Sequence, residues 1–206
     1  MYIKIGETCI SISFWFAVVL CTIMLMDKSG AASSAFLSAL LHEMGHIVAF
    51  ALQKRAPAQI AFTPFGLRLI QGNCAGSGAS YVGSYAKEIQ AAFAGPLVNL
   101  CLCIFAPRSQ PLFFINIALF TFNMLPVHEL DGGRILHAYL SLKKGPAFAG
   151  HTLMCTSFAC VFLAFAVFFI GAFYGKYNFS LFLATFYLGA LTLTSETTGL
   201  LYRKSK

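Results

Sequence analysis

The sequence predicts an α-helical integral membrane protein with about six transmembrane helices and a small β-hairpin on the cytosolic side. Of its 206 residues, 58% are hydrophobic and only 10% are charged, and the mean hydropathy is +0.76. A soluble domain needs more polar material than this to cover its surface. Apolar runs near the roughly 20 residues that cross a bilayer recur along the chain. These runs lie at about 9–26, 31–52, 88–107, 111–127, 151–175 and 178–195.

The basic residues predict how the chain crosses the membrane. The formal charge is +7, but Lys and Arg are spread between the apolar runs. They form no basic surface interleaved with aromatic residues, so we expect no nucleic-acid partner. With the N-terminus inside, each outside loop keeps a single basic residue: Lys28, Arg108 and Lys176. By the positive-inside rule, we expect a multi-pass protein of the cell membrane with both termini cytoplasmic.

The longest polar interval, residues 53–87, follows the second apolar run. Short alternating stretches on either side of Pro64 and Gly66 predict two strands that turn at this point. The Gly- and Ser-rich segment 72–84 predicts a flexible loop. No repeat or linker divides the chain, so we expect residues 1–206 to form one polytopic membrane domain. The first apolar run exceeds the core of a signal peptide, and we expect it to be a retained helix.

The second apolar run contains three ionisable residues. Its stretch FLSALLHEMGHIVAFAL, residues 36–52, is apolar around His42, Glu43 and His46. Ionisable side chains at membrane depth are costly and mark functional sites. Histidines four residues apart lie about 40° from each other around a helix and can bind one metal ion. Glu43 lies about 100° from His42, where a general base for water is needed. The alternative, a chance pair of hydrogen-bonded core histidines, is disfavoured by the apolar surroundings.

A catalytic zinc site needs a third protein ligand and an open position. The candidate segment is FNMLPVHELDGGRIL, residues 122–136, where Asn123, Pro126 and Gly132-Gly133 interrupt the fourth apolar run. Irregular backbone at membrane depth is tolerated only where protein buries it or where it lines a wet cavity. Asp131, one of two aspartates in the chain, lies in this break. It is the strongest candidate for the third ligand.

The depth of the two segments is consistent with a shared site. With a rise of about 1.5 Å per residue from Ala31, His42 and His46 lie roughly 16 and 22 Å below the outer surface. This places them in the cytosolic half of an apolar layer about 30 Å thick. The fourth run points the same way, so Asp131 also falls toward the cytosolic end.

These motifs together resemble those of a known family. HEMGH, AGPLVN at residues 94–99, NMLPVHELDGGR at 123–134 and the PFG turn are similar to motifs of the site-2 protease family of intramembrane zinc metalloproteases. The stage IV sporulation protein FB branch is the most similar. The resemblance covers a catalytic core at about residues 30–140 and leaves accessory helices at 151–195.

The resemblance implies an activity and its partners. It implies a zinc endopeptidase that cleaves a transmembrane or membrane-associated protein near the cytosolic face of the lipid bilayer. The released product would be a transcription regulator, with a role in sporulation. A membrane-embedded regulator of the protease is a further candidate partner.

Site residues carry over by position. The resemblance implies one zinc per chain, held by His42, His46 and Asp131, with Glu43 activating water. It implies for Asn123 a place near the reacting carbonyl or a role in holding the loop.

Alternatives to the third ligand and to the protease function stay open. The family's loop usually has proline where this chain has Glu129, and this leaves Glu129 or His128 as alternative ligands. A metal-ion carrier could use the same His, His and Asp set, although a carrier gains little from Glu43.

Gly95 is explained by helix packing, whereas Asn99 needs a polar partner, and a substrate backbone is one candidate.

Overall fold

The computed structural model describes residues 2–5, 8–12, 14, 18, 21–22, 25, 27–54, 57–63, 66–71, 81–107, 110–175, 182–190 and 192. The chain divides into two compact units, Met1–Thr121 and Phe122–Lys206. The first unit contains strands β1 (Tyr2–Ile5), β2 (Thr8–Ile12), β3 (Pro57–Thr63) and β4 (Gly66–Gln71), with helices α1 (Ala31–Leu52) and α2 (Tyr81–Phe105). Helix α3 (Pro111–Asn123) begins in the first unit, and α4 (Asp131–Lys144) and α5 (Pro146–Phe173) belong to the second.

The strands of the first unit form one sheet in the order β1-β2-β3-β4. Strands β3 and β4 pair antiparallel on either side of Pro64 and Phe65, with Thr63 opposite Gly66. Strand β2 pairs parallel with β3 and antiparallel with β1. Strand β3 is therefore internal, with a neighbour on both sides. Its cytosolic placement stays a prediction.

Two boundaries differ from the sequence expectation. Residues 9–12 of the first predicted span belong to β2. Their alternation of Ile with Ser and Cys suits a strand, and pairing with β3 overrides the apolar character of the run. Residues 81–84 of the predicted flexible loop form the start of α2 instead, and residues 72–80 lie outside the described residues.

Three described helices are long and apolar enough to cross a membrane: α1, residues 84–105 of α2, and α5. Helix α3 has 13 residues and ends at Asn123, so the predicted fourth span to residue 127 is too long. Pro126 cannot donate a helical hydrogen bond, which explains the early end. Residues 182–190 of the predicted sixth span are helical. Six crossings stay a prediction.

Helix α1 buries three polar residues together with Phe50 and exposes several of its apolar residues. Ser38, His42 and His46 are buried at four-residue spacing, whereas the side chains of Met44 and Val48 are exposed. This is the reverse of a helix on a soluble protein, which buries its apolar stripe. Helix α5 also exposes large apolar side chains, namely those of Phe162, Leu163, Val167, Phe169, Ile170 and Phe173. The apolar helices therefore indicate a membrane protein.

Candidate metal centre

His46 is held by a backbone carbonyl of the neighbouring helix. Its side chain is 3% exposed, and its Nδ1 lies 2.7 Å from the carbonyl oxygen of Ala91 on α2. A carbonyl oxygen can only accept, so Nδ1 carries the proton and donates it. In the neutral ring, Nε2 of His46 therefore keeps its lone pair.

His42 is held in the same way by a side chain. Its Nδ1 lies 2.6 Å from Oδ1 of Asn99 on α2, and an amide oxygen is again an acceptor. Nε2 of His42 therefore also keeps its lone pair. The Nε2 atoms of His42 and His46 lie 3.2 Å apart. Two lone pairs that face each other in a buried site repel unless a cation lies between them, so this pair fits a metal ion.

Gly95 keeps open the space in front of both histidines. An added Cβ at this position would lie 2.7 Å from Nε2 of His42 and closer still to Nε2 of His46. Gly45 has a different role, because its Cβ would lie 2.7 Å from the carbonyl oxygen of Ala94. Close packing of α1 on α2 thus depends on Gly45. Sequence reasoning explained Gly95 by packing alone and missed its place beside the metal-binding nitrogens.

Asn99 has its polar partners inside the protein. Besides accepting from His42, its amide nitrogen donates to Oδ1 of Asn116 on α3 at 2.8 Å. The side chain of Asn99 is fully buried, and the polar partners that it was expected to need are His42 and Asn116. Asn99 orients His42. Glu43 is half-buried next to His42 on α1, and its role as a base stays a prediction.

Asp131 opens helix α4 in the second unit and is 7% exposed. Nη1 of Arg134 lies 3.4 Å from its Oδ1. The two following glycines let the preceding loop fold back on the helix, since a Cβ at Gly132 would clash with the carbonyl of Met124. One at Gly133 would clash with the carbonyl oxygen of Val127. Close backbone contacts thus fix the conformation of the loop before Asp131. The role of Asp131 as a metal ligand stays a prediction.

Two hydroxyl groups of α5 hold the same loop. The hydroxyl of Thr156 lies 3.1 Å from the carbonyl oxygen of Pro126 and 2.9 Å from that of Leu153 in its own helix. The backbone N–H of His128 donates to Oγ of Ser157 at 3.0 Å, and Ser157 donates in turn to the carbonyl oxygen of Leu153. Ser157 is fully buried. Sequence reasoning missed both residues, although an adjacent Thr-Ser pair in an apolar run is a usable signal.

The alternative ligands of the loop differ from Asp131 in exposure. The side chains of His128 and Glu129 are 54% and 36% exposed, and Nδ1 of His128 lies 3.4 Å from Oε1 of Glu129. A buried metal ion is held by buried ligands, so this exposure favours Asp131. Asn123 is half-buried at the last residue of α3, and nothing in the described contacts separates its two expected roles.

Comparisons with known proteins support this chemistry. The sequence profile of Peptidase family M50 matches residues 109–166, which include Asp131 but neither histidine of α1. A zinc metalloprotease of Methanocaldococcus jannaschii is 29% identical in an alignment of 126 residues, and the match covers 53% of this chain and 34% of the relative. The chain thus spans about a third of the length of that curated relative.

A solved structure shows the same fold. The Site-2 Protease from Methanocaldococcus jannaschii matches with a TM-score of 0.59 and 24% identity, over 91% of each chain. The matched family is a peptidase family and the curated relative is a zinc metalloprotease, whereas the solved structure supports the fold. With the buried residues His42, His46 and Asp131, the family and the curated relative suggest a bound metal ion.

Proposed function

We propose that this chain is an intramembrane zinc endopeptidase of the site-2 protease type, which hydrolyses a peptide bond of a membrane-associated protein. The observation that carries the proposal is the pair of buried Nε2 lone pairs of His42 and His46, 3.2 Å apart. Both histidines lie on the apolar helix α1, and the only other ionisable residue of that helix is Glu43. A hydrolase needs both metal ligands and a base beside them.

The proposed ligands are His42, His46 and Asp131, holding one zinc per chain. Histidine nitrogen and carboxylate oxygen are zinc ligands, and a set of three leaves one position open. When bound, zinc supplies a Lewis acid that activates water at neutral pH. Arg134 supports the ligand role of Asp131, because its guanidinium lies 3.4 Å from Oδ1 and orients the carboxylate.

Two other residues have proposed roles in the chemistry. Glu43 accepts the proton of the attacking water and passes it to the leaving amine. Asn123, at the end of α3, either approaches the reacting carbonyl or holds the loop that follows.

The finer statements concern topology and biology. We propose that the protein is multi-pass with both termini cytoplasmic, that cleavage occurs near the cytosolic face, and that it releases a transcription regulator. Lys and Arg, concentrated in alternate segments, support this topology. A cysteine introduced beside Lys28 should react with an impermeant reagent outside the cell, and one beside Lys143 should not. Placement in the sporulation branch rests on the motif resemblance alone.

A metal-ion carrier is the second function that the ligands allow. The comparisons do not favour it, since the matched proteins are proteases. A carrier also gains little from Glu43, because a carboxylate placed to activate water serves a hydrolase.

Cleavage of a tagged substrate tests the proposal. The probe is a co-expressed single-span protein with helix-breaking residues near its cytosolic end. Glu43→Gln should lower the rate at which the shortened product forms by about 100-fold or more. It should leave the zinc content unchanged. Glu88→Gln on α2 is the matched control and should cleave normally. Undiminished cleavage by Glu43→Gln would refute the protease mechanism, and zinc uptake into vesicles without cleavage would favour a carrier.

A further inference from the structure

A chain of buried amides continues from His42 to helix α3. Asn99 receives the Nδ1–H of His42 and donates to Oδ1 of Asn116 at 2.8 Å. Nδ2 of Asn116 donates to the carbonyl oxygen of Leu112 at 2.8 Å and to Oγ of Ser38 at 3.1 Å. Asn99 and Asn116 are both 0% exposed, so water does not compete for these bonds.

The carbonyl of Leu112 fixes the direction of every bond in this chain. An amide group has nearly the same shape when turned around, so its oxygen and nitrogen can exchange places. A backbone carbonyl only accepts, so the amide nitrogen of Asn116 must face Leu112. Its oxygen then faces Asn99, whose nitrogen must donate to it. The oxygen of Asn99 is therefore left to face His42.

The direction decides which nitrogen of His42 carries the proton. With the oxygen of Asn99 opposite Nδ1, the proton is on Nδ1 and the lone pair is on Nε2. If the chain were reversed, Nδ1 would accept and Nε2 would carry the proton. That Nε2–H would then point at Nε2 of His46, 3.2 Å away, and the two rings would bond to each other.

We infer that Asn116 is a positioning residue for the histidine pair. Through Asn99 it holds His42 in the tautomer that presents the Nε2 lone pair, and so prevents the pair from closing on itself. The inference rests on the proposed metal site and deepens it, since it names a residue of a third helix that the metal-binding nitrogens depend on. Ser38 adds only a longer bond to the same nitrogen of Asn116, so Ser38→Ala should have little effect.

The test compares three variants of α3 in detergent-purified full-length protein. Asn116→Val removes the donor to Leu112 and the acceptor for Asn99. Asn116→Thr restores part of the direction, because a threonine hydroxyl donates to the carbonyl four residues earlier, as Thr121 does to Ile117. Thr121→Val is the matched control, because this hydroxyl is exposed and lies outside the amide chain.

The first readout is the tautomer of His42 in metal-free protein. Nitrogen-15 NMR of histidine-labelled protein resolves it, because protonated and unprotonated ring nitrogens differ in chemical shift. His42→Ala identifies its signal among the five histidines. Wild type and Thr121→Val should show a protonated Nδ1, and Asn116→Val should shift part of the population to Nε2–H. Asn116→Thr should lie nearer to wild type.

The second readout is the dissociation constant for zinc. Asn116→Val should weaken zinc binding about 10- to 100-fold, as loss of a partner behind a metal-ligating histidine does. An unchanged tautomer and unchanged affinity in Asn116→Val would overturn the inference. If that variant does not fold, wild type decides alone, because a predominant Nε2–H form of its His42 would also overturn it. A protein with the expected tautomer that neither binds zinc nor cleaves would instead refute the proposed function.

Discussion

The Nε2 atoms of His42 and His46 lie 3.2 Å apart, and the hydrogen bonds behind each ring leave both with a lone pair. Neither Nε2 can donate to the other, because both rings carry their proton on Nδ1. The arrangement persists because both Nδ1 atoms are committed, one to Ala91 and the other to Asn99. The rings are therefore oriented before a metal binds, so little reorganisation opposes binding.

Gly95→Ala should abolish zinc binding. The new Cβ would lie 2.7 Å from Nε2 of His42, in the space that a metal ion needs, and such overpacking typically costs about 1–3 kcal/mol. Gly150→Ala on α5 is the matched control, because a Cβ there meets nothing within 4 Å. Zinc content and melting temperature measured together decide the outcome. A Gly95→Ala protein that keeps full zinc occupancy would contradict the position of the site.

Asp131→Asn should lower zinc retention far more than Glu129→Gln. Both changes remove one negative charge, but Asp131 is buried and Glu129 is exposed. Zinc content after dialysis against a chelator measures the difference. The reverse order would mean that Glu129 is the ligand.

Ser157→Ala should loosen the loop before Asp131. The change leaves the backbone N–H of His128 without its acceptor, and an unsatisfied buried donor costs about 1–3 kcal/mol. Thr185→Val is the control, because this buried hydroxyl donates to Phe182 within its own helix. We expect faster hydrogen exchange in residues 124–130 and weaker zinc binding in Ser157→Ala only. Equal behaviour of the two variants would show that the α5 contact does not position the loop.

The site residues that could be predicted share a local signal. The spacing of His42 and His46 on one helix face is a property of five consecutive residues, and the structure places both side chains on the buried face of α1. The interruption after α3 was likewise predicted, because proline and paired glycines break an apolar run, although the predicted span extended to residue 127 and the helix ends at Asn123. Local backbone chemistry was sufficient to find the histidine pair and the break.

The residues that were missed depend on which helices are neighbours. Asn116 gains its role because α3 brings it against Asn99 of α2, and Ser157 because α5 lies against the loop at His128. Neither contact is marked by a periodic pattern of residues in the sequence. The start of the first span was wrong for a related reason, since pairing of Ile10 with Ile60 in the sheet overrides the apolar pattern of its own segment.

Asp27 should stabilise the start of α1 in a pH-dependent way. Its carboxylate accepts hydrogen bonds from the hydroxyl of Ser29 at 2.7 Å and from the backbone N–H of Ala32 at 2.7 Å. These hydrogen bonds, of which the one from the Ser29 hydroxyl has the largest effect, hold the pKa of Asp27 below its usual range. The stabilisation is therefore fully present above the unfolded pKa of about 3.9 and is lost as the pH falls through the lower folded value.

The comparison of Asp27→Ala with wild type tests this. We expect a lower melting temperature for the variant at neutral pH and a difference that shrinks toward zero in acid. Lys28→Ala, at an exposed neighbouring position, should leave the pH dependence unchanged. A difference between Asp27→Ala and wild type that is constant with pH would mean that the charge of Asp27 has no part in it.

The last prediction concerns how an unwound substrate is held. A transmembrane helix hides its carbonyls in internal hydrogen bonds, so the substrate must unwind locally before it is cut. A free strand edge can bind the unwound segment by adding it as a further strand. In the hairpin, Ile60 and Phe62 lie in β3, which already pairs with β2 and β4, so β3 has no free edge. Among the described strands, β1 and β4 each have a neighbour on one side only, and β4, which belongs to the hairpin, is the edge that we expect to bind substrate.

A proline scan of β4 from Leu67 to Ile70 tests this edge. Successive backbone N–H groups of a strand point to opposite sides, so proline at alternate positions removes either donors to β3 or donors on the free edge. We expect a lower melting temperature at the first set. At the second set, cleavage of the tagged substrate should fall while melting temperature and zinc content stay at wild-type values. Normal cleavage at every position that preserves the melting temperature would refute substrate binding at β4, since those are the variants that lack the free-edge donors.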